Sequence, residues 1–190
     1  MPAFSICVYC GARAGTDPAF TREAEALGQA IAGAGWRLVY GAGDVGLMGS
    51  VARAAQSAGG ETFGVIPQHL VQMEVGKTDL TRFVVTETMH ERKKVMLMNA
   101  DAVVVMPGGA GTLDEFFEVL TWRQLGLHAK TIVLMDVAGY WGALKGLLDH
   151  VVATGFAGAS LLEFVEAGRN AQEVMARLRR ALSCDSEVAE

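Results

Sequence analysis

The chain contains the stretch AVVVMPGGAGTLDEFF from Ala102 to Phe117, in which three patterns follow one another. A continuous apolar run comes first, a turn with three glycines follows, and the last part has the apolar spacing of a helix. A short apolar run that ends in a glycine turn is typical of a strand buried on both faces of a parallel sheet. The stretch therefore predicts one strand–loop–helix unit of an α/β fold.

The same unit recurs along the whole chain of 190 residues. The apolar patterns predict strands at 4–9, 37–40, 62–66, 83–85, 102–106 and 131–135, with a short seventh at 162–165. They predict helices at 18–34, 47–58, 90–99, 113–124, 140–153 and 171–182, and a loop with a short helix at 68–81. We predict a Rossmann-like open parallel sheet with helices on both faces, in a single domain of residues 1–182, followed by a frayed tail of residues 183–190.

The composition argues against two kinds of partner, nucleic acid polymers and membranes. The net charge is −5, and no basic stripe is visible apart from Arg177, Arg179 and Arg180 on a predicted helix, which indicate a solvated helix face. A nucleic acid polymer is therefore not the expected partner. No apolar run has the length of a membrane span, so no membrane association is expected.

The three cysteines are sparse and odd in number, which favours a reducing, cytoplasmic compartment. Cys7 and Cys10 form a C-x-x-C pattern that could suggest redox chemistry. We reject that interpretation because the pair follows a strand pattern, in which residues three apart point to opposite faces of the sheet.

Ligands of such folds bind beyond the carboxyl ends of the strands, and glycines are frequent there. Cys10 and Gly11 follow the first predicted strand, and Gly41, Gly43 and Gly46 form G-x-G-x-x-G after the second. Backbone N–H groups of such a loop favour a phosphate. A dinucleotide site also needs an acidic residue at the end of the next strand, where this chain has none at the right place. The pattern favours a mononucleotide over NAD.

A second glycine turn, Pro107–Thr112, enters a helix and lacks the lysine of an ATP-binding P-loop. Thr112 and Glu115 also fit a T-x-x-E capping box. Glu115 thus has two open interpretations, as a helix cap or as a group beside the ligand.

Arg92 falls in an apolar stripe of a predicted helix, together with Met89, Val95 and Met96. A buried arginine needs an anionic or polar partner, and both a protein carboxylate and a ligand phosphate remain open. The four histidines have no metal-ligand spacing, so no metal is expected, and His90 near a helix start is interpreted as a capping or packing residue.

Residues 107–115 match the signature P-G-G-x-G-T-x-x-E, and residues 89–93 match M-H-x-R-K. With Tyr40–Gly43, Gly46–Gly49 and Thr121–Gly126, these motifs resemble the LONELY GUY family of cytokinin riboside 5′-monophosphate phosphoribohydrolases, often labelled lysine decarboxylases. The resemblance runs from about residue 4 to about residue 180.

This resemblance implies a homodimer that hydrolyses the N-glycosidic bond of AMP or N6-substituted AMP, giving the free base and ribose 5-phosphate without a cofactor. It assigns Arg92 and Glu115 as catalytic. The substrate-binding positions it implies are Glu74, Arg92, Lys93, Gly108, Gly109, Ala110, Gly111, Thr112, Leu113, Asp114, Glu115 and Thr121. The strand-end patterns add Cys10, Gly11, Gly41, Gly43, Gly46 and Met48. Asp114 stands where relatives often have Glu, a change from which we expect little effect.

Chemistry from the residues agrees with this expectation. Cleaving a nucleoside bond builds positive charge on the ribose, which a carboxylate such as Glu115 can stabilise. Two alternatives remain: a non-catalytic carrier or sensor of a nucleotide or of molybdenum cofactor, and a pyridoxal-phosphate decarboxylase, which would need a Schiff-base lysine in the site.

Overall fold

The computed structural model describes residues 2–71 and 79–187. Its strands are β1 Ser5–Tyr9, β2 Arg37–Tyr40, β3 Thr62–Pro67, β4 Arg82–Thr86, β5 Ala102–Val105, β6 Thr131–Met135 and β7 Val165–Gly168. Its α-helices are α1 Pro18–Gly33, α2 Gly46–Ser57, α3 Gln68–Val71, α4 Met89–Met98, α5 Ala110–Gln124, α6 Gly142–Ala153, α7 Ser160–Glu163 and α8 Ala171–Glu187. A 3₁₀ turn, Val137–Gly139, precedes α6.

All seven strands form one parallel sheet in the order β4-β3-β2-β1-β5-β6-β7. Successive side chains of a strand point to opposite faces, so each strand contributes to two cores. One core lies against α1, α2 and α8, and the other lies against α4, α5, α6 and α7. The predicted open parallel sheet with helices on both faces is thus confirmed.

The strand order reverses between β1 and β5. The chain moves outward from β1 through β2 and β3 to β4, and then returns to place β5 on the other side of β1. Loops that leave neighbouring strands in opposite directions open a crevice between them. The loops after β1 and β5 therefore flank the expected ligand site.

The seventh predicted strand, 162–165, was placed wrongly. Residues 160–163 form α7, and β7 begins only at Val165. This strand lies at the sheet edge and is only partly buried, so it has no continuous apolar run that the sequence could reveal. Glu166, in its middle, accepts a hydrogen bond of 2.6 Å from Arg180 of α8, which gives that predicted surface arginine a partner.

The two N-terminal cysteines point to opposite faces, as the strand pattern predicts. Cys7 packs in the core beside α4 and α5, and Cys10 packs in the core beside α1 and α2. Both are buried, unpaired thiols whose pKa is raised, first of all by that burial. No helix in residues 2–71 or 79–187 has the length and apolar character to cross a membrane.

Helices α1 and α2 pack closely at Gly28, which is buried within α1. A Cβ atom at this position would overlap the backbone oxygen of Val51 and lie 3.0 Å from the Cβ of Ala54. Only glycine therefore permits this approach of two helix backbones. By contrast, a Cβ at Gly33, in the last turn of the same helix, would meet no atom within 4 Å.

We expect Gly28→Ala to lower the free energy of unfolding by roughly 1–3 kcal/mol or more, because overpacking forces the two helices apart. Gly33→Ala is the matched control and is expected to be neutral or stabilising by up to roughly 1 kcal/mol, since alanine favours helix more than glycine does. Urea unfolding of both variants tests this. Equal midpoints for Gly28→Ala and wild type would contradict the described helix contact.

Candidate active site

Three strand-end loops meet at the point where the strand order reverses. The N–H of Gly11, after β1, donates to the carbonyl of Pro107, after β5, at 3.0 Å, and the N–H of Leu47, in α2, donates to the carbonyl of Gly11 at 3.1 Å. A Cβ on Gly11 would lie 3.2 Å from the Cα of Gly108. The loops after β1 and β5 are in direct backbone contact. A residue larger than glycine at position 11 would not fit there.

A cavity of about 550 Å³ opens beside this contact. Such a volume is that of a small-molecule site. Its walls come from the loops after β1 and β5, the starts of α2, α4 and α5, and the segments around α3 and the 3₁₀ turn. The lining residues are Cys10, Gly11, Ala12, Arg13, Ala14, Gly15, Phe20, Leu47, Met48, Leu70, Met89, Arg92, Pro107, Gly108, Gly109, Gly111, Thr112, Glu115 and Tyr140.

The glycine turn of residues 107–111 leads directly into α5, for which Gly109 is the N-cap. A Cβ on Gly109 or Gly111 would meet no atom within 4 Å, so the surface over the first helical turn is open. The unpaired N–H groups of a first helical turn attract an anion. This end of the cavity therefore suits a phosphate.

The capping-box interpretation of Thr112 and Glu115 is wrong. Helix α5 begins at Ala110, three residues earlier than the apolar pattern predicts, so Thr112 lies inside the helix and cannot cap it. The sequence does not reveal where this helix begins, because its N-cap residue, Gly109, makes no side-chain capping bond. A capping box is present instead in α4, between Thr88 and Glu91.

Arg92 is 5% exposed and extends from α4 to the ends of two strands. Its Nε donates to the carbonyl of Val65 at 3.0 Å, and its Nη2 donates to the carbonyl of Gly41 at 2.7 Å. Its Nη1 also lies 3.9 Å from Met89 Sδ, and among the described residues none of these three hydrogen-bond partners is a carboxylate. The guanidinium, which also lines the cavity, therefore keeps its positive charge available there.

Glu115 lies on α5, lines the same cavity and is 9% exposed. Burial raises the pKa of its carboxyl to about 7, although the positive charges of Arg92 and Lys93 oppose the shift. A carboxyl group with such a pKa exchanges protons near neutral pH, which suits a general acid or base.

The glycines of the G-x-G-x-x-G pattern are not among the lining residues. A Cβ on Gly41 would lie 2.8 Å from Cζ of Arg92, so this glycine makes room for the guanidinium. Gly46 has a φ of +58°, and a Cβ there would lie 2.5 Å from the backbone nitrogen of Arg13. Gly41 and Gly46 thus make room for the Arg92 side chain and for the loop after β1, whereas Met48, in the first turn of α2, lines the cavity.

Lys93 is held away from the cavity. Its Nζ lies 2.9 Å from Asp114 Oδ2 and 3.0 Å from Glu118 Oε2, and its side chain is 4% exposed. Burial alone would lower its pKa, but these two hydrogen bonds raise it, so the amine is protonated. His90, interpreted as a capping or packing residue, is largely exposed, 4.0 Å from Glu118.

The site residues predicted from the sequence divide into three groups. Cys10, Gly11, Met48, Arg92, Gly108, Gly109, Gly111, Thr112 and Glu115 come together around the cavity. Outside its lining lie Gly41, Gly43, Gly46, Lys93, Ala110, Leu113, Asp114 and Thr121, the last two exposed on the outer face of α5. Glu74 lies outside the described residues.

Sequence reasoning missed Phe20, Leu70 and Tyr140. The Tyr140 hydroxyl donates to the carbonyl of Gly108 at 2.6 Å, and its ring packs edge-on against Phe20 at 5.7 Å between centroids. Tyr140 reaches the glycine turn because β6 lies next to β5. No local pattern in the sequence signals that adjacency.

The chain matches the family model described as possible lysine decarboxylase over residues 48–178. It is 38% identical over 184 residues to a probable cytokinin riboside 5′-monophosphate phosphoribohydrolase of Oryza sativa subsp. japonica, covering 97% of this chain and 82% of that protein. It is 45% identical over 160 residues to a cytokinin riboside 5′-monophosphate phosphoribohydrolase of Mycobacterium marinum, covering 84% and 85%. The counterpart from Mycobacterium tuberculosis is 41% identical over 172 residues, covering 90% and 91%.

Solved structures with the same fold include a molybdenum cofactor carrier protein of Chlamydomonas reinhardtii. That structure has a TM-score of 0.70 and 22% identity, covering 94% of this chain and 98% of the other. A molybdenum cofactor binding protein of Rippkaea orientalis has a TM-score of 0.73 and 21% identity, covering 96% and 99%. At these identities the likeness shows the fold alone.

The pKa of Glu115 leads to a prediction about stability. A carboxyl group whose pKa rises from 4.5 in the unfolded chain to about 7 in the fold contributes stability below pH 4.5 and loses it as pH rises through 7. Glutamine does not titrate. We therefore expect Glu115→Gln to become more stable relative to wild type between pH 5 and pH 8.5, by on the order of 3 kcal/mol.

Urea unfolding of both proteins across this range measures the difference. All other titrating groups are common to the two proteins and cancel in the comparison. A difference in unfolding free energy that stays constant with pH would show that burial does not raise the pKa of this carboxyl.

Proposed function

The chain belongs to the family of cytokinin riboside 5′-monophosphate phosphoribohydrolases, and we propose that it hydrolyses the N-glycosidic bond of AMP or N6-substituted AMP to the free base and ribose 5-phosphate. The observation that carries this proposal is the pair formed by Glu115 and Arg92. Both are buried in one cavity, and that cavity ends at the glycine turn before α5. An acid–base group thus stands beside a phosphate-binding surface.

The substrate's phosphate binds at the first turn of α5, where backbone N–H groups are open. The base then lies along the apolar side chains of the cavity, which include Leu47, Met48, Leu70 and Met89. Anchoring both ends of the nucleotide holds the ribose between them, near Glu115. The apolar wall also suits an N6 substituent on the adenine ring.

Hydrolysis breaks the bond between the base nitrogen and C1′ and forms a bond between C1′ and a water oxygen. Positive charge develops on the ribose as the base leaves, and the carboxylate of Glu115 stabilises it. The water loses a proton, which Glu115 accepts because its pKa is about 7. The base takes up a proton from solvent as it departs, and Glu115 returns the proton it accepted to solvent, so the net reaction consumes one water molecule. Arg92 fixes the position of the carboxylate by charge.

The other two interpretations gain no support from the described residues. The carrier proteins resemble this chain in fold alone, so their cargo does not transfer to it. A pyridoxal-phosphate enzyme needs a lysine in the site, and the lining residues that the structure describes include none. Lys93 is paired with two carboxylates elsewhere.

We expect Glu115→Gln to lose at least about 10²-fold in kcat for AMP while remaining folded, because it removes the charge that meets the developing cation. Arg92→Lys should also lose activity, since lysine cannot reach two carbonyls in the same fork geometry. Release of ribose 5-phosphate measures both. Glu25→Gln, at an exposed position on α1, is the control and should keep full activity. More than about half of the wild-type activity in Glu115→Gln would remove this residue as the catalytic carboxylate.

We further propose that the protein is a homodimer whose partner covers the outer face of α5. Phe117 is 37% exposed there, Leu125 is 67% exposed just after the helix, and Met98 at the end of α4 is 71% exposed. Thr121, which the family resemblance assigns to substrate binding, lies exposed on the same helix. A second copy on this face would explain both the apolar surface and the distance of Thr121 from the chain's own cavity.

We expect light scattering at micromolar concentration to give twice the chain mass of 20.1 kDa. Phe117→Glu should shift the protein towards monomer and reduce its activity, because a charge would be buried in the interface. Phe156→Glu places the same change at an 87% exposed phenylalanine after α6 and should leave both unchanged. A fully active wild-type monomer would refute the dimer.

A further inference from the structure

Three charged side chains line the cavity among the residues that the structure describes: Arg13, Arg92 and Glu115. Arg92 donates two of its N–H groups to backbone carbonyls, and its charge acts on Glu115. Arg13 is exposed, and the described residues give its guanidinium neither a salt bridge nor a hydrogen bond. Among the described residues, Arg13 is thus the one cation of the cavity that has no partner within the protein.

The backbone that carries Arg13 is held firmly. Gly11, two residues before it, is bonded to Pro107 on one side and to Leu47 on the other. The turn at Gly46 packs against the backbone nitrogen of Arg13 itself. The backbone of Arg13 therefore lies between the starts of α2 and α5, and its side chain is exposed there.

A nucleoside 5′-monophosphate brings nearly two negative charges into this cavity. The start of one helix offers about half a positive charge, and the guanidinium of Arg92 is engaged by two carbonyls and by the charge of Glu115, which leaves most of the phosphate charge uncompensated. A guanidinium binds phosphate through two parallel hydrogen bonds and stays charged at every working pH. The position and charge of Arg13 match this need.

We propose that Arg13 binds the 5′-phosphate of the substrate and thereby makes the enzyme select nucleotides over nucleosides. This inference rests on the proposed function. Arg13 is a binding and specificity residue, while the groups that act at the ribose are Glu115 and Arg92. We expect Arg13 to increase the affinity for a phosphorylated ligand and to leave the affinity for an unphosphorylated ligand unchanged.

Arg13→Ala should raise KM for AMP and lower kcat/KM about 10- to 100-fold, as expected for the loss of a charged hydrogen-bonded pair. It should leave the weak kcat/KM for adenosine unchanged, because adenosine has no phosphate. Arg13→Lys should recover part of the loss, and Arg13→Gln, which keeps length but not charge, should not. Arg22→Ala removes the same charge from an exposed position outside the lining and should match wild type.

Calorimetric titration with ribose 5-phosphate gives a readout that does not depend on catalysis. Wild type should bind it more tightly than Arg13→Ala by a similar factor, and the difference should shrink at high salt. Equal affinities in two folded proteins would overturn the role of Arg13, whether or not AMP is hydrolysed. A wild type that binds ribose 5-phosphate through Arg13 but cleaves no AMP would instead overturn the proposed hydrolysis and leave the phosphate site standing.

Discussion

The backbone contact between the β1 and β5 loops is the constraint on which the site depends. Gly11 and Gly108 face each other so closely that neither can carry a side chain without displacing its neighbour. This contact fixes the start of α5 relative to the end of β1, and α5 in turn carries Glu115. Glu115 and the helix N-terminus therefore share one rigid support, which is the arrangement that preorganised sites require.

The identity of Arg92's partners decides the electrostatics of the cavity. If a protein carboxylate had neutralised the guanidinium, less positive charge would oppose burial, and the pKa of Glu115 would rise further. Carbonyl partners hold the guanidinium in place without cancelling its charge, so it still opposes the shift. The pKa of about 7 is thus a balance between burial, which raises it, and the positive charges of Arg92 and Lys93, which lower it.

Sequence patterns predicted the elements that are buried on both sides, because continuous apolar runs mark them. They failed at β7, since an edge strand carries no such run, and at the start of α5, since Gly109 caps the helix without a side chain. The cavity residues likewise include some that a local sequence pattern predicts and some that it does not. Motifs pointed to Arg92 and Glu115, whereas Tyr140 reaches Gly108 only through the order of the strands, which no local pattern encodes.

The pairing of β1 with β5 joins two segments that leave the ribosome at widely separated times during synthesis. Ser5 and Asp101, whose backbone and side chain are bonded across this pair, are separated by 96 positions. During synthesis, one edge of β1 stays without its neighbour until β5 has left the ribosome, so only β1 to β4, four of the seven strands, can pair before that point. The cavity lies between these four strands and the three that follow, and neither part forms it alone. Folding of this protein is therefore governed by a contact of high sequence separation, the kind that slows the search for the native state.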